Sequence, residues 1–216
     1  MRIIGFAGPK YAGKDTAADY LMSENVRTGK NLFAKRPFAA PLKASLQHIF
    51  NLSLEEVEDP ILKETPLNRW PFVEPRKLMQ DTAKAMRAIY GGDVFANSWE
   101  GRIRGEPAAC IIVPDLRHTE ELDKFEALGG YLFYIQNDKA ADALSEARSM
   151  NDPLASDVSE SMHELLMRRA KTIIPNNGSL GELYQNVAKA VHTYIGDWNE
   201  WPAETTVLHK LRTGQQ

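Results

Sequence analysis

The stretch Gly8-Pro9-Lys10-Tyr11-Ala12-Gly13-Lys14-Asp15-Thr16 constrains this chain more than any other. It follows the apolar run Arg2-Ile3-Ile4-Gly5-Phe6-Ala7, which reads as a buried strand, and precedes a pattern that puts Ala17, Ala18, Leu21 and Met22 on one helical face. Strand, glycine loop and helix in that order open a βαβ unit, and with it a parallel sheet. The spacing G-x-x-x-x-G-K is that of a Walker A loop. Glycines let the backbone curl until successive N–H groups face one point, and the helix N-terminus adds partial positive charge there. Lys14 brings a compact cation for the β- and γ-phosphates of a nucleotide. Gly8, Lys10, Ala12, Gly13, Lys14, Asp15 and Thr16 are therefore the candidate ATP-binding residues, and Lys14 is a candidate for catalysis as well.

One position departs from the usual pattern. Asp15 stands where Ser or Thr normally offers a hydroxyl to Mg²⁺, and Thr16 follows it. A carboxylate is a hard oxygen ligand that suits Mg²⁺ directly or through water. Asp15 and Thr16 are both candidates for the metal, and the sequence leaves the choice between them open.

The remainder of the chain fits one α/β domain over residues 1–216. Hydrophobic residues are 43% and charged residues 25%, enough apolar material for a generous core. A net charge of −3 supplies no basic field, so nucleic acid is not expected as the partner. No run approaches the length of a membrane span, and the N-terminus enters a strand pattern with no signal peptide, so the expected compartment is the cytoplasm. Cys110 lies in the apolar run 108–113 and reads as a buried small hydrophobe. The five histidines show no metal-binding spacing.

Helices are expected over 41–50, 76–90 and 94–103, around an irregular, partly helical stretch at 51–75. Leu42, Leu46, Ile49 and Phe50 are expected inward on the first, and Leu78, Met79, Ala83, Met86 and Ile89 on the second. A regular rhythm follows: strand 110–113, helix 119–128, strand 131–135, helix 139–148, a polar segment 149–160, strand 171–175 and helix 179–194. Trp198 and Trp201 are expected to dock on the core.

Two further sets of residues carry charge toward the chemistry. Ile111-Ile112-Val113-Pro114-Asp115-Leu116-Arg117 ends an apolar strand in a carboxylate, and open α/β sheets bind ligands beyond the carboxyl ends of their strands. Asp115 is thus a candidate for catalysis and for the substrate, and Arg117 for a phosphate. Lys43, Arg69, Arg76 and Arg87 form a looser set that would clamp an anionic acceptor. Arg148, just before the polar segment, is the candidate lid arginine.

The loop 8–19, Pro41-Leu42-Lys43, Arg76-Lys77-Leu78-Met79-Gln80, Val113-Pro114-Asp115-Leu116-Arg117 and Asn177-Gly178-Ser179-Leu180-Gly181-Glu182-Leu183 together resemble the bacteriophage deoxynucleoside monophosphate kinases. The matches keep their order over most of the chain. The resemblance implies a three-layer P-loop fold, nucleoside monophosphate kinase-like, with a parallel sheet, an acceptor-binding arm at about 41–103 and a lid at about 139–160. It implies ATP- and Mg²⁺-dependent conversion of dNMP to dNDP in the host cytoplasm. It carries Lys43, Arg76, Gln80 and Asp115 to the acceptor, with Gln80 reading a base edge and Trp70 or Phe72 stacking on it. A homodimer is compatible with the sequence. Pro-Leu-Lys, Lys63-Glu64 and Ser156-Asp157-Val158-Ser159-Glu160 also resemble animal-type phosphomevalonate kinases, so another phosphomonoester is an alternative acceptor. A P-loop ATPase that transfers nothing is a third reading.

A kinase must exclude water from the γ-phosphate, and an arginine fork can span donor and acceptor oxygens during transfer. Arg148→Ala should therefore lower kcat about a hundredfold, roughly 3 kcal/mol, with little change in KM or melting temperature. Steady-state kinetics beside a melting curve check this; an unchanged kcat would reduce Arg148 to a surface residue.

Overall fold

A computed structural model describes residues 1–149 and 162–201, without the side chains of 147–149. Five strands, β1 (Arg2–Ala7), β2 (Phe33–Lys35), β3 (Cys110–Val113), β4 (Tyr131–Gln136) and β5 (Thr172–Pro175), form one sheet in the order β2-β3-β1-β4-β5. Every pairing is parallel, with Gly5 opposite Val113 on one side of β1 and Leu132 on the other. Helix α1 (Lys14–Thr28) follows β1 directly, and α6 (Thr119–Ala127), α7 (Asp138–Ser149), α8 (His163–Arg169) and α9 (Leu180–Ile195) come later in the chain.

The sheet is covered on both faces, which explains why its strands are apolar almost throughout. Ile4, Phe6, Phe33, Cys110, Ile112, Phe133, Ile135 and Ile174 pack with Ala17, Ala18 and Leu21 of α1 and Leu183, Val187 and Val191 of α9. On the other face a Cβ at Gly5 would lie 2.5 Å from Leu116 and 2.9 Å from Phe125 of α6, so only glycine lets that helix approach. The result is the three-layer α/β architecture expected from the sequence. Burial raises the pKa of Cys110 and keeps the thiol inert.

Residues 38–98 form a compact unit of their own, and residues 1–37 with those from 99 onward form the other. The smaller unit contains α2 (Ala40–Phe50), α3 (Leu54–Glu58), a 3-10 turn at Leu62–Glu64, α4 (Pro75–Tyr90) and the first half of α5 (Val94–Ile103). A capping box between Ser53 and Glu56 starts α3. Leu42, Leu46, Leu52, Val57, Leu67 and Phe95 make the unit's core, flanked by Leu78, Met79, Ala83 and Met86.

Some expectations need correction. Ile49 and Ile89 are exposed rather than inward, because each lies in the last turn of its helix, beyond the reach of a small core. Strand β2 and helix α8 are additional elements, each too short to show a period. The two tryptophans dock as expected: Trp198 and Trp201 are buried against Phe33, and the indole N–H of Trp198 donates to Glu24 over 3.0 Å.

Glu24 is buried and also accepts from the Arg27 guanidinium at 2.8 Å. The Arg27 hydrogen bond, assisted by Trp198, holds its carboxyl below the usual range despite burial. The stabilisation from this depressed pKa is complete above the ordinary carboxylate value and drains away as pH falls through the lower folded value. Trp198→Phe, which removes the donor N–H together with part of the buried indole's volume, should cost about 2–4 kcal/mol in urea denaturation at pH 7. Glu24→Gln should start less stable and lose less on acidification below pH ~4.5 than the wild type.

Candidate active site

All five strands run the same way, so their carboxyl ends share one edge of the sheet. At that edge lie Lys35 at the end of β2 and Arg36 after it, Asp115 after β3, Gly8 after β1, Asn137 after β4 and Asn176 after β5. The chain leaves β1 to build β2 and β3 on one side and β4 and β5 on the other. The glycine loop therefore sits at the point where the strand order reverses, the place where open α/β sheets bind ligands.

The loop's shape follows from three residues with positive φ: Gly8 at 144°, Tyr11 at 66° and Gly13 at 101°. A Cβ at Gly8 would be driven into the carbonyl oxygen of Ile135, so β4 itself demands glycine there. Gly13 caps α1, whose first residue is Lys14. The Lys14 ammonium donates to the carbonyls of Gly8 and Pro9, both at 2.6 Å, and so spans the loop it belongs to. Lys10 lies 4.9 Å from the ring of Tyr11, and Ala12 is fully buried. The Ala12 carbonyl accepts from Asn176 at 2.8 Å, and Asn137 donates in turn to the Asn176 carbonyl at 2.5 Å. Two asparagines at the ends of β4 and β5 thus brace the loop from behind.

Asp15 is exposed, and its Oδ1 lies 3.1 Å from the Lys35 ammonium, which also meets Asp19 at 3.0 Å. Burial pulls the Lys35 pKa down, but hydrogen bonds and charge from Asp19 and Asp15 outweigh it and the net shift is upward. Lys35 is charged at any physiological pH. Asp15, Thr16 and Asp115 supply the hard oxygen donors that suit Mg²⁺. Among the described residues no group of three or more His, Cys, Asp or Glu side chains forms a cage. Mg²⁺ at a nucleotide needs none, since it keeps waters and phosphates and takes only one or two protein oxygens. The donor set fits the ion.

Half-buried Asp115 lies two residues beyond Val113, the last residue of β3, which pairs with Gly5 of β1. Arg102 at the end of α5 feels the Asp115 charge: desolvation, with nearby Arg36, lowers its pKa, and Asp115 offsets only part of that. Arg117 is exposed, while its backbone N–H donates to buried Glu121.

The remaining candidates lie in the unit 38–98. Lys43 pairs with Glu58 at 2.7 Å, Arg76 with Glu64 at 2.8 Å, and Arg69 forks onto both oxygens of Glu56 at 2.8 and 2.6 Å. Arg87 stacks 4.7 Å above the Phe95 ring. At 3.6 residues per turn Arg76, Gln80 and Arg87 fall within about 40° of one another, one stripe along α4. Trp70 and Phe72 are exposed, and Trp70 lies against Phe50. Arg148 belongs to α7, but its side chain and segment 150–161 lie outside the described residues.

Sequence reasoning missed Lys35, Arg102, Asn137 and Asn176. The three-residue strand that delivers Lys35 gave no pattern to read. Asn176-Asn177-Gly178 was legible as a turn, though not as a support for the loop.

No protein-family profile matches the chain. It is 29% identical over 204 residues to a protein of Acanthamoeba polyphaga mimivirus described as "Putative deoxynucleotide monophosphate kinase", covering 88% of this chain and 96% of the relative. The crystal structure of TT1252 from Thermus thermophilus superposes with a TM-score of 0.51 at 19% identity, over 90% of this chain and 97% of that one. That likeness shows the fold. Dephospho-CoA kinase from Campylobacter jejuni gives a TM-score of 0.45 at 14% identity over the full length of both chains. Among the described residues no helix is long and apolar enough to cross a membrane.

The asparagine brace is testable without any ligand. The Ala12 N–H donates to the Pro9 carbonyl at 3.1 Å, inside the loop that Asn176 supports. Asn176→Ala removes a bond of about 1 kcal/mol and should speed hydrogen exchange at the Ala12 amide about fivefold, leaving β1 and β3 amides unchanged. Equal exchange in both proteins would show that the loop holds its shape alone.

Proposed function

We propose that the chain is an ATP-dependent kinase that phosphorylates a phosphomonoester, in first place a deoxynucleoside monophosphate. The observation that carries the reading is the loop 8–16 itself. Its left-handed turns, its lysine and the N-terminus of α1 meet at the carboxyl edge of the central strand. The mimivirus relative, alike over nearly its whole length, supports the choice of acceptor.

In this reading the γ-phosphoryl group passes from ATP to an oxygen of the acceptor's phosphate, leaving ADP. Little covalent chemistry is asked of the protein, so its task is to position and to neutralise. Lys14 exchanges its loop carbonyls for β- and γ-phosphate oxygens, while loop N–H groups hold the β-phosphate. Thr16 and Asp15 would hold Mg²⁺, which when bound would withdraw charge from the transferring group. Asp115 would orient the acceptor or, with Mg²⁺ bound, hold the ion through water. On the smaller unit, the stripe Arg76, Gln80 and Arg87 suits a mononucleotide: cations for its phosphate and an amide for its base edge. Exposed Trp70 and Phe72 offer surface for the base to stack on. Lys43, Arg69 and Arg76 are already engaged by carboxylates and would bind an acceptor only by exchanging them.

A panel of dNMPs, NMPs and phosphomevalonate, with ATP, Mg²⁺ and a no-acceptor control, decides among the readings by ADP release and by phosphorus NMR of the product. Transfer to dNMPs is expected. ADP formed equally without acceptor would favour a plain ATPase, and transfer to phosphomevalonate alone would reassign the substrate. Lys14→Ala should lower transfer at least a hundredfold, the scale of losing an electrostatic clamp, with a nearly unchanged melting curve. Wild-type turnover in that variant would remove the loop from the mechanism.

A further inference from the structure

The Walker A spacing is kept in this chain, but with a negative charge placed inside it. Asp15 is the second residue of α1 and shares the helix's first turn with Lys14. A carboxylate there opposes the very ligand the loop is shaped for, since a triphosphate brings several negative charges to the same turn. With nothing to offset it, Asp15 would cancel most of what Lys14 contributes.

The fold supplies the offset from a different strand. Lys35 ends β2, with its position fixed by pairing to Ile112 of β3 and by the Arg36 N–H donating to the Ile112 carbonyl at 2.8 Å. Its ammonium lies 3.1 Å from Asp15 and 3.0 Å from Asp19, two carboxylates one helical turn apart on α1. The lysine side chain is 28% exposed and the two aspartates 77% and 66%. The cation is thus the sheltered partner that two solvated anions share. That arrangement does little for stability, as exposed ion pairs generally do. It does set the charge beside the phosphate loop.

We infer that Lys35 is a positioning residue that neutralises and orients the Asp15 carboxylate, which lets a phosphate loop carrying an acidic residue accept a polyphosphate and Mg²⁺. The inference rests on the nucleotide-binding reading above. Lys35 acts through Asp15 and not by touching ATP, so its effect must vanish when Asp15 is gone. A direct phosphate ligand would behave otherwise. Bonding the Oδ1 atom also fixes the direction of the carboxylate, so the metal-facing role proposed for Asp15 depends on the same contact.

The test is a double-mutant cycle read by calorimetric binding of Mg·ATP, with a melting curve for every variant. Lys35→Met should weaken binding about tenfold, the weight of one uncompensated charge near the site. Lys35→Arg should recover most of that loss. On an Asp15→Ser background, which restores the ordinary hydroxyl, Lys35→Met should change affinity less than twofold. An equal loss on both backgrounds, or no loss on either, would overturn the inference. Absence of ATP binding by the folded wild type would overturn the nucleotide reading, and this inference with it.

Discussion

The parallel pairing of β1 to β3 on one side and β4 on the other is the constraint on which the rest depends. It buries the central strand on all sides and ends it at Ala7, so that the chain must turn under the carboxyl end of β4. The Ile135 carbonyl occupies the space a side chain at Gly8 would need. Sheet register and loop shape are thus one fact: the strand that makes the core also forces the glycine that starts the phosphate loop. The same register gathers Lys35, Asp115, Asn137 and Asn176, distant in sequence, at one edge.

Three of those residues are tied to neighbours, the asparagines by neutral hydrogen bonds and Lys35 by ion pairs. Asn176 is fixed through Asn137 and reaches the Ala12 carbonyl; Lys35 is fixed by β2 and reaches Asp15. Such bonds contribute modestly to folding, and their effect is to hold the loop's groups in one arrangement before a ligand arrives. Preorganised charge of that sort is where electrostatic catalysis gains most. Away from the loop, Trp198 holds the later turns of α1 through Glu24, while Trp198 and Trp201 pack on Phe33 of β2 and Trp201 on Arg2 of β1.

How much of this was legible in the sequence depended on range. The strand, loop and helix at 2–28 are local patterns, visible from glycine spacing and helical period, and the later β–α rhythm was readable for the same reason. Helices α2, α4 and α5 were readable too, though the exposure of Ile49 and Ile89 was not, because the size of a core cannot be read from one helix. Asp115 was found from the end of its strand. Its coupling to Arg102, on another element of the fold, left no sign in the sequence around it. Lys35 was invisible because three residues make no period, and its partner Asp15 is met only once β2 has paired with β3. Residues that act through long-range pairing leave no mark in a local pattern.

The central claim is that the loop between β1 and α1 receives nucleotide phosphates. Backbone amide NMR of the wild-type protein titrated with Mg·ADP tests it most directly. The account predicts the largest shifts at the amides of Gly13, Lys14, Asp15 and Thr16, saturating together with a single dissociation constant. Saturable binding that leaves those four amides unmoved while shifting others would contradict it.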